Sequence, residues 1–571
     1  SNVLTLAAPH VHPPPGGLGA GVGGGGDQGQ GQGQGQGHGQ GHGAIGLPRR
    51  LLQLVVDLSP PRFAAEAEAE VCQQLPAAEA SRFSELNSQQ AVAVRRILSS
   101  TDYSLVLGMP GTGKTTLIAH AIRMLVALGQ RVLLTAYTHS AVDNLLLKLE
   151  EEGVPFLRIG PPGRVHPQIR KHTLHALMEP NDATQPLDQA ALVRQFAQRP
   201  VFAATALAVS HPLLWRAKFD VCLIDEAGQI TEPVTLGPLL LARRFVLVGD
   251  QYQLPPLVSE EEARRHGLGI SLFQRLAEAH PRAVCRLSTQ YRMATDIMAV
   301  SNHLVYAGAL TCGSPRVADG ALSLPRPSAM PAPRSEWPAR SATLAWAQAL
   351  PPDRPVSSDR PVSSDRPVSS DRGAAPPLPA WRWLERAMEP SRRVIFLDTD
   401  AMPAPEERAA GVHGAVSNPN EASVCSAILS AYLACGVPPA HLACISPYRA
   451  QLKLVEERLH SGLHSGLHSG LHPAAAAIEL LTVDRCQGRD YECCVLSMVR
   501  SNPRGDTGSL LDDFRRLNVA FSRAKKKMII VGSASTMRHS PIMLSLLQLA
   551  SQAGWTSPLP PAADQIYEPQ P

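Results

Sequence analysis

Short apolar runs alternate with segments of helical spacing along much of this chain. Between residues 86 and 282 the runs are YSLVLG, RVLLTAY, PVFAAT, VCLIDEA and RFVLVGD. Near-continuous apolar runs of this length are typical of parallel strands that are buried on both faces. The segments between them, such as residues 115–128, carry apolar residues at helical spacing. The alternation predicts a doubly wound α/β domain over residues 86–282.

A second series of the same kind predicts a second α/β domain over residues 283–549. Its apolar runs are RRVIFLDT, HLACISPY, IELLTVD, CCVLSMV and KMIIVGS. Two low-complexity insertions interrupt it, near residues 324–379 and at residues 460–472, with the repeats RPVSSD and HSGL. We expect both to be surface loops. Residues 51–85 are interpreted as a lead-in to the first domain, and residues 550–571 as a C-terminal tail.

The first 50 residues are mostly Gly, Gln, His and Pro. Such a segment has too little apolar surface to offset the entropy of ordering, so residues 1–50 are predicted to be disordered. The first residue is Ser rather than Met, and we therefore expect the chain to be a fragment of a longer protein. No apolar run approaches the ~20 residues that span a bilayer, so no membrane partner is expected. The formal net charge is only +4, so any contact with nucleic acid must come from a local arrangement of residues.

Histidines and cysteines both raise the question of a metal site. The histidines of the HSGL repeat recur every four residues and could line one helical face as ligands. A glycine in every repeat unit costs a helix about 1 kcal/mol relative to alanine, so repeat expansion is the favoured interpretation. None of the ten cysteines shows C-x2-C spacing. Buried free thiols in a reducing compartment are therefore expected.

A phosphate-binding loop is the strongest chemical signal in the sequence. The segment GMPGTGKT, residues 108–115, follows an apolar strand and precedes a helix. The glycines Gly108, Gly111 and Gly113 allow backbone N–H groups to face phosphates at a helix N-terminus. Lys114 is predicted to reach the β- and γ-phosphates of ATP, and Thr115 to hold Mg²⁺.

Acidic and amide side chains follow two later strands. Asp225 and Glu226 end the run VCLIDEA, where Asp225 can complete the Mg²⁺ shell and Glu226 can polarise the attacking water. Gln253, in GDQYQLPP, is a candidate sensor of the γ-phosphate. Arg292 in QYRM and Arg523 in AFSRAKKK are candidate arginine fingers, which typically raise the rate by about 10³–10⁵.

The order of these motifs resembles that of superfamily 1 helicases. The series runs LNSQQ, GMPGTGKTT, TAYTHSAVDNLLLKL, DEAGQ, GDQYQLPP, QYRM, SPYRAQL, TVDRCQGRD and RRLNVAFSRAKKK. Further phrases, among them MPAPEE and SMVRSN, are similar to the helicase half of the eukaryotic DNA replication ATP-dependent helicase/nucleases. The resemblance implies an α/β fold of two tandem RecA-like P-loop domains.

The resemblance also implies roles for residues outside the phosphate site. Gln90 would read the adenine edge, and Tyr291 would stack on the base. Five residues would face the nucleic-acid strand: Thr138, Asn144, Thr205, Tyr448 and Thr482. Asp490 stands where many superfamily members have Glu, and Gly228 follows DEA where Ser is usual; neither change is expected to matter much.

The function that the resemblance implies is an ATP-dependent, Mg²⁺-requiring DNA helicase or translocase of 5′→3′ polarity. It would act on single-stranded DNA or flaps in replication and repair, with replication and repair proteins as partners. Nuclear localisation is implied, with the mitochondrion as an alternative. Two other functions stay open: an RNA helicase of the nonsense-mediated-decay type and a strand-binding scaffold that does not hydrolyse ATP. No nuclease module and no iron–sulfur cluster are expected within this chain.

Overall fold

The computed structural model describes seven segments of the chain. They are residues 49–63, 73–178, 196–333, 379–402, 405–408, 415–461 and 473–567. The disorder predicted for residues 1–50 lies outside the described residues except at Arg49 and Arg50, which the structure places in a helix. The loops predicted for most of both low-complexity insertions also lie outside them.

A parallel seven-stranded sheet forms the centre of the first domain, in the order β3-β4-β2-β5-β6-β1-β7. Its strands are β1 Tyr103–Gly108, β2 Val132–Ala136, β3 Phe156–Arg158, β4 Val201–Thr205, β5 Phe219–Asp225, β6 Ala242–Gly249 and β7 Val284–Leu287. Every pairing in this sheet is parallel. The carboxyl ends of all its strands therefore lie along one edge, where ligands of such sheets bind.

A second parallel sheet of six strands forms the centre of the second domain, in the order β14-β13-β15-β16-β10-β17. Two small pairs of strands, β8 with β9 and β11 with β12, lie outside both large sheets. The strands that follow β7 are β8 Thr289–Gln290, β9 Thr311–Cys312, β10 Val394–Asp398, β11 Glu407–Arg408, β12 Val416–Ser417, β13 Leu442–Ser446, β14 Glu479–Thr482, β15 Tyr491–Ser497, β16 Ala524–Gly532 and β17 Thr556–Pro558.

Helices cover both faces of each sheet. In chain order they are α1 Arg49–Val55, α2 Ala77–Ser84, α3 Ser88–Ser99, α4 Lys114–Ala127, α5 His139–Glu151, α6 Leu174–Met178, α7 Pro212–Arg216, α8 Glu232–Leu239, α9 Glu261–Ala263, α10 Leu272–Ala279, α11 Thr295–Ser301, α12 Pro315–Ala318, α13 Trp383–Met388, α14 Pro419–Ala434, α15 Arg449–Ser461, α16 Gly508–Asp512, α17 Phe514–Phe521, α18 Ala534–Met537 and α19 Pro541–Gln552. No helix of the described segments is long and apolar enough to cross a membrane.

Each sheet separates two apolar cores, which is why its strands read as continuous apolar runs. In β1, Val106 packs into one core while Leu105 and Leu107 pack into the other. In β16, Ile529 and Met528 point to opposite cores in the same way. Because neither face of the sheets is left to solvent, polar alternation is absent from the strands. The predicted fold class, two tandem α/β domains of the RecA-like kind, is confirmed.

Two of the predicted domain limits differ from the structure. Strand β7 pairs with β1, so the first sheet extends to Leu287 rather than ending at residue 282. Strand β17 pairs with β10, and Leu559, Ile566 and Tyr567 are buried in the second domain. The segment predicted as a tail is therefore part of that domain. Neither β7 nor β17 lies in an apolar run long enough for a sequence reading to detect.

Replacing Ile566 tests whether the C-terminal segment belongs to the second core. Ile566 is fully buried, so Ile566→Ala should lower the free energy of unfolding by about 2–4 kcal/mol through lost burial and the cavity left behind. Leu544→Ala is the control, because Leu544 on α19 is 41% exposed, and its effect should stay within about 0.5 kcal/mol. Denaturant titration followed by circular dichroism measures both. Equal stability of the two variants would show that the C-terminal segment is dispensable.

Candidate active site

The P-loop joins β1 to α4 and is held in a cradle shape by its own contacts. Lys114 Nζ donates to Gly108 O at 2.7 Å, and Thr112 Oγ1 donates to Met109 O at 2.8 Å. Gly113 has a φ of 79°, in the left-handed region, immediately before α4 begins. The first turn of α4 presents backbone N–H groups that have no partner within the helix. These groups and Lys114 are the candidates for binding phosphate at the helix N-terminus.

Gly111 is required by a close approach from the second half of the chain. Its φ is 74°, and a Cβ atom at this position would lie 2.7 Å from Arg292 Cβ. Tyr291 N donates to Gly111 O at 2.8 Å, and Ala294 N donates to Lys525 O at 2.8 Å. The segment that carries Tyr291 and Arg292 is thus bonded to the P-loop on one side and to β16 of the second domain on the other.

Asp225 and Glu226 lie at the carboxyl end of β5, facing the P-loop. Asp225 is 6% exposed, and its Oδ1 accepts a hydrogen bond from Glu226 N at 2.9 Å. Burial, together with the neighbouring Glu226 charge, raises the pKa of Asp225, while the charge of Lys114 opposes the rise. Glu226 has a φ of 51°, a strained conformation for a residue other than glycine. Such strain tends to occur at functional sites.

A magnesium ion fits the residues present. A buried carboxylate whose pKa is raised gains most from a nearby cation, and Mg²⁺ prefers oxygen ligands. Asp225 and the exposed hydroxyl-bearing Thr115, on the first turn of α4, are the residues that would hold it. Within the described residues, no cluster of three or more His, Cys, Asp or Glu side chains forms a metal cage. A Mg²⁺ ion shared between protein and phosphates does not need such a cage.

Gln253 lines a pocket between the P-loop and the second domain, and a hydrogen bond to Asp250 holds its side chain. Asp250, directly after β6, is 2% exposed, and its Oδ2 accepts from Gln253 Nε2 at 2.7 Å. Burial raises the pKa of Asp250, against the charge of Lys114 and the hydrogen bonds that it accepts. The sequence singled out Gln253 but assigned no role to Asp250.

Both candidate arginine fingers enter the same pocket from the second half of the chain. Arg523 is 2% exposed; its Nε donates to Val519 O at 2.9 Å and its Nη1 donates to Arg489 O at 3.1 Å. Arg292 Nη1 donates to Ser522 O at 3.2 Å, and its Nε lies 3.1 Å from Asp490 Oδ2. Burial, and then the charge of Arg523, lower the pKa of Arg292 to about 10.

The pocket also contains Asp490, which the sequence singled out without a role, and Lys525, which it did not single out. Asp490 lies between two cations, 3.1 Å from Arg292 Nε and 2.7 Å from Lys525 Nζ. Those charges lower its pKa, although burial acts in the opposite direction. Lys525 belongs to the basic run RAKKK, and only the pairing of β15 with β16 brings it beside Asp490.

These residues enclose one pocket of about 320 Å³ between the two domains. Its wall is formed by Met109, Pro110, Gly111, Thr112, Gly113, Lys114, Thr115, Thr116, Glu226, Gln253, Tyr291, Arg292, Gly488, Asp490, Arg523 and Lys525. Next to Gly488, the amide of Gln487 is buried with neither atom hydrogen-bonded to any described residue. Orphaned polar atoms of this kind mark places where a polar ligand can bind.

The two candidate adenine contacts lie beside the P-loop in different ways. Tyr291 is 44% exposed, and its hydroxyl accepts from Asn87 Nδ2 at 2.9 Å. Gln90 is buried and takes part in the capping box of α3 with Asn87. Its Nε2 lies 3.4 Å from Thr112 O, outside the wall of the pocket. The role of both residues in binding adenine remains a prediction.

The candidate strand contacts lie at the carboxyl ends of neighbouring strands. Thr138 comes shortly after β2, and Thr205 is the last residue of β4, which pairs with β2. In the second sheet Tyr448 comes shortly after β13, and Thr482 is the last residue of β14, which pairs with β13. Thr138 Oγ1 accepts from Ala141 N at 3.2 Å and caps α5, on which Asn144 is exposed. Thr205 and Thr482 are largely buried.

A second pocket of about 320 Å³ opens beside Thr482. Three of the side chains in its wall, Arg449, Lys453 and Arg485, are basic, and none of them was predicted from the sequence. Arg449 and Lys453 lie on α15, whereas Arg485 lies more than 30 positions further along the chain. The sequence therefore contains no local basic cluster that would predict this pocket.

Gly228 matters more than expected. A Cβ atom at this position would lie 3.0 Å from Asp250 O, because the loops after β5 and β6 pack backbone against backbone. The usual serine would require these loops to separate slightly.

The nine cysteines of the described residues are free, and all but Cys312 are buried.

Removing either arginine should slow hydrolysis strongly while leaving ATP binding largely intact. Arg292→Ala and Arg523→Ala should each lower kcat about 10³-fold or more, since charge on the transferring phosphate is lost. Arg538→Ala, an exposed arginine outside the pocket, is the control and should keep full turnover. Steady-state phosphate release and equilibrium binding of a fluorescent ATP analogue separate the two effects. Turnover above about a tenth of the wild-type rate would remove that arginine from the catalytic set.

Family models match both domains of the chain. Two models of the AAA domain family match the chain, one at residues 268–535 and the other at residues 85–199 and 187–261. The helicase of an arterivirus, nonstructural protein 10, is 12% identical, with a TM-score of 0.32 over 75% of this chain and 59% of that one. That likeness is too weak to bear on function or fold.

Curated relatives share much higher sequence identity. A DNA replication ATP-dependent helicase/nuclease of Arabidopsis thaliana is 39% identical over 515 residues, which cover 89% of this chain and 33% of that protein. Its counterpart in Mus musculus is 40% identical over 493 residues, which cover 86% of this chain and 41% of that protein. The chain thus spans well under half the length of these relatives. The chain therefore resembles the helicase portion of the DNA replication ATP-dependent helicase/nucleases, and it matches only that portion of these longer proteins.

Proposed function

We propose that this chain is an ATP-dependent DNA helicase that moves 5′→3′ along single-stranded DNA. The observation that carries the proposal is the pocket between the domains, in which the P-loop of the first domain meets Arg292 and Arg523 from the second half of the chain. Hydrolysis at such a site requires the two domains to be together. The nucleotide state can therefore be converted into relative movement of the domains.

The residues of the pocket divide the chemistry among them. Lys114 and the N-terminus of α4 bind the β- and γ-phosphates, and Glu226 takes a proton from the attacking water. Arg292 and Arg523 stabilise negative charge that develops on the transferring group. Magnesium, when bound at Thr115 and Asp225, supplies further positive charge to the phosphate oxygens.

Nucleic acid binds along the two groups of loops at the carboxyl ends of paired strands. Thr138 and Thr205 contact the strand on the first domain, and Tyr448 and Thr482 contact it on the second. The pocket beside Thr482 has three basic side chains and one acidic side chain, Glu456, in its wall, and its excess of positive charge favours a phosphate backbone. Alternating grip by the two domains, as they close and open around ATP, moves the strand in one direction.

We propose DNA rather than RNA as the substrate, because the relatives at 39% and 40% identity are named as DNA replication enzymes. The same names support a role in DNA replication. A role in repair, action in the nucleus and replication proteins as partners belong to the proposal through the resemblance alone. The runner-up is an RNA helicase, which would use the same pocket.

The lysine of the P-loop provides the first test. Lys114→Ala should abolish ATP turnover, because Lys114 contacts phosphate, and should leave strand affinity within about threefold of the wild type. Lys218→Ala is the control, since Lys218 is exposed just before β5, at the opposite edge of the sheet. Phosphate release and fluorescence anisotropy with labelled oligonucleotides report the two properties. Turnover above about a tenth of the wild-type rate would contradict the assignment.

The nature of the strand provides the second test. ATP turnover should rise at least about tenfold with single-stranded DNA and less with RNA of the same sequence, because the relatives at 39% and 40% identity are named as DNA replication enzymes. Measurements at two salt concentrations identify electrostatic contacts that are not specific to either strand. Greater stimulation by RNA would favour the runner-up, and no stimulation by either would favour a scaffold.

A further inference from the structure

A buried hydrogen-bond network joins the pocket to the second domain. It consists of Asp250, Gln253 and Tyr252 from the loop after β6, with Tyr306 and Asn518 from the second domain. Each of these residues except Tyr252 is at most 5% exposed. Tyr306 lies in the apolar cluster that packs against the second sheet, and the ring of Tyr252 packs edge-on against it at 6.0 Å.

One oxygen atom of Asp250 is shared between the two domains. Oδ2 accepts from Gln253 Nε2 at 2.7 Å and from the hydroxyl of Tyr306 at 2.6 Å. The other oxygen, Oδ1, accepts from Tyr252 N at 3.0 Å. The carboxylate is therefore fixed from three sides, and the orientation of the Gln253 amide follows from it. Since carboxylate oxygens only accept, the amide nitrogen of Gln253 faces Asp250, and its carbonyl oxygen is left for other partners.

Asn518 extends the network to the helix that carries the arginine. Its Nδ2 donates to the hydroxyl of Tyr306 and to Tyr252 O, both at 2.8 Å. Asn518 lies on α17, and Arg523 follows this helix directly, with its Nε bonded to Val519 O at 2.9 Å. Gln253 and Arg523 lie on opposite walls of the pocket. The buried side chains of Asp250, Tyr306 and Asn518 connect the two walls by hydrogen bonds.

We propose that Tyr306 is a positioning residue that holds Gln253 through Asp250 and so makes ATP hydrolysis depend on contact between the two domains. The inference rests on the proposed function of the pocket as an ATPase site. The hydroxyl of Tyr306 and the amide of Gln253 donate to the same oxygen of Asp250, so a movement of Tyr306 with the second domain shifts this carboxylate and with it the orientation of Gln253. Tyr306 itself does not touch the pocket, whose wall it does not join.

Tyr306→Phe removes the hydroxyl and keeps the ring. The variant should lower the strand-stimulated kcat roughly 10-fold, because a hydrogen bond to a charged group is lost, with KM for ATP within about twofold. The matched control is Tyr103→Phe, since Tyr103 is fully buried in β1 and its hydroxyl has no hydrogen-bond partner among the described residues. This control should keep wild-type turnover. A kcat for Tyr306→Phe equal to that of Tyr103→Phe would overturn the proposal.

A double-mutant cycle with Gln253→Ala excludes a merely structural effect. If Tyr306 acts through Gln253, Tyr306→Phe should change single-turnover hydrolysis by less than about twofold once Gln253 is absent. A full 10-fold further loss in that background would show that Tyr306 acts independently, and the proposal would fail. Absence of strand-stimulated hydrolysis in the wild-type chain would instead refute the proposed function, and it would be visible before any variant is compared.

Discussion

Four cations from two domains converge on one pocket, and their mutual repulsion is the constraint on which the rest of the site depends. Lys114 comes from the P-loop, whereas Arg292, Arg523 and Lys525 come from the second half of the chain. Proximity to Arg523 and burial both lower the pKa of Arg292, so the protein must compensate these charges. Asp490 does so for Arg292 and Lys525, and Asp225 and Asp250 carry compensating charge near Lys114.

This arrangement explains why two parallel sheets are needed. A single parallel sheet supplies the P-loop and the carboxylates along one edge, as the first sheet does at the ends of β1, β5 and β6. The same sheet does not place buried arginines opposite the P-loop. A buried guanidinium needs backbone carbonyl acceptors on its own side of the pocket. Arg523 obtains these carbonyls from Val519 and Arg489, so the second domain holds the arginine in place through ordinary backbone groups.

The sequence predicted the elements that have a local signature. The ten long apolar strands, the P-loop and the acidic pair all follow from runs or spacings within about ten residues. It did not predict β7, β17 or the roles of Asp490 and Tyr306. Those features depend on pairing between segments far apart in the chain: Tyr306 meets Asp250 across 56 positions, and Arg292 meets Ser522 across 230. Neither composition nor hydrophobic periodicity shows which residues so far apart in the chain will be in contact.

Directional movement is the property that ties the pocket, the strand contacts and the two domains together. It can be measured by stopped-flow fluorescence with single-stranded DNA of increasing length, labelled at either its 5′ or its 3′ end. The account predicts that, after ATP is added, the signal from the 3′ label appears after a delay that grows in proportion to DNA length, while the 5′ label shows no such delay. A delay independent of length at both ends, or one that grows for the 5′ label alone, would contradict it.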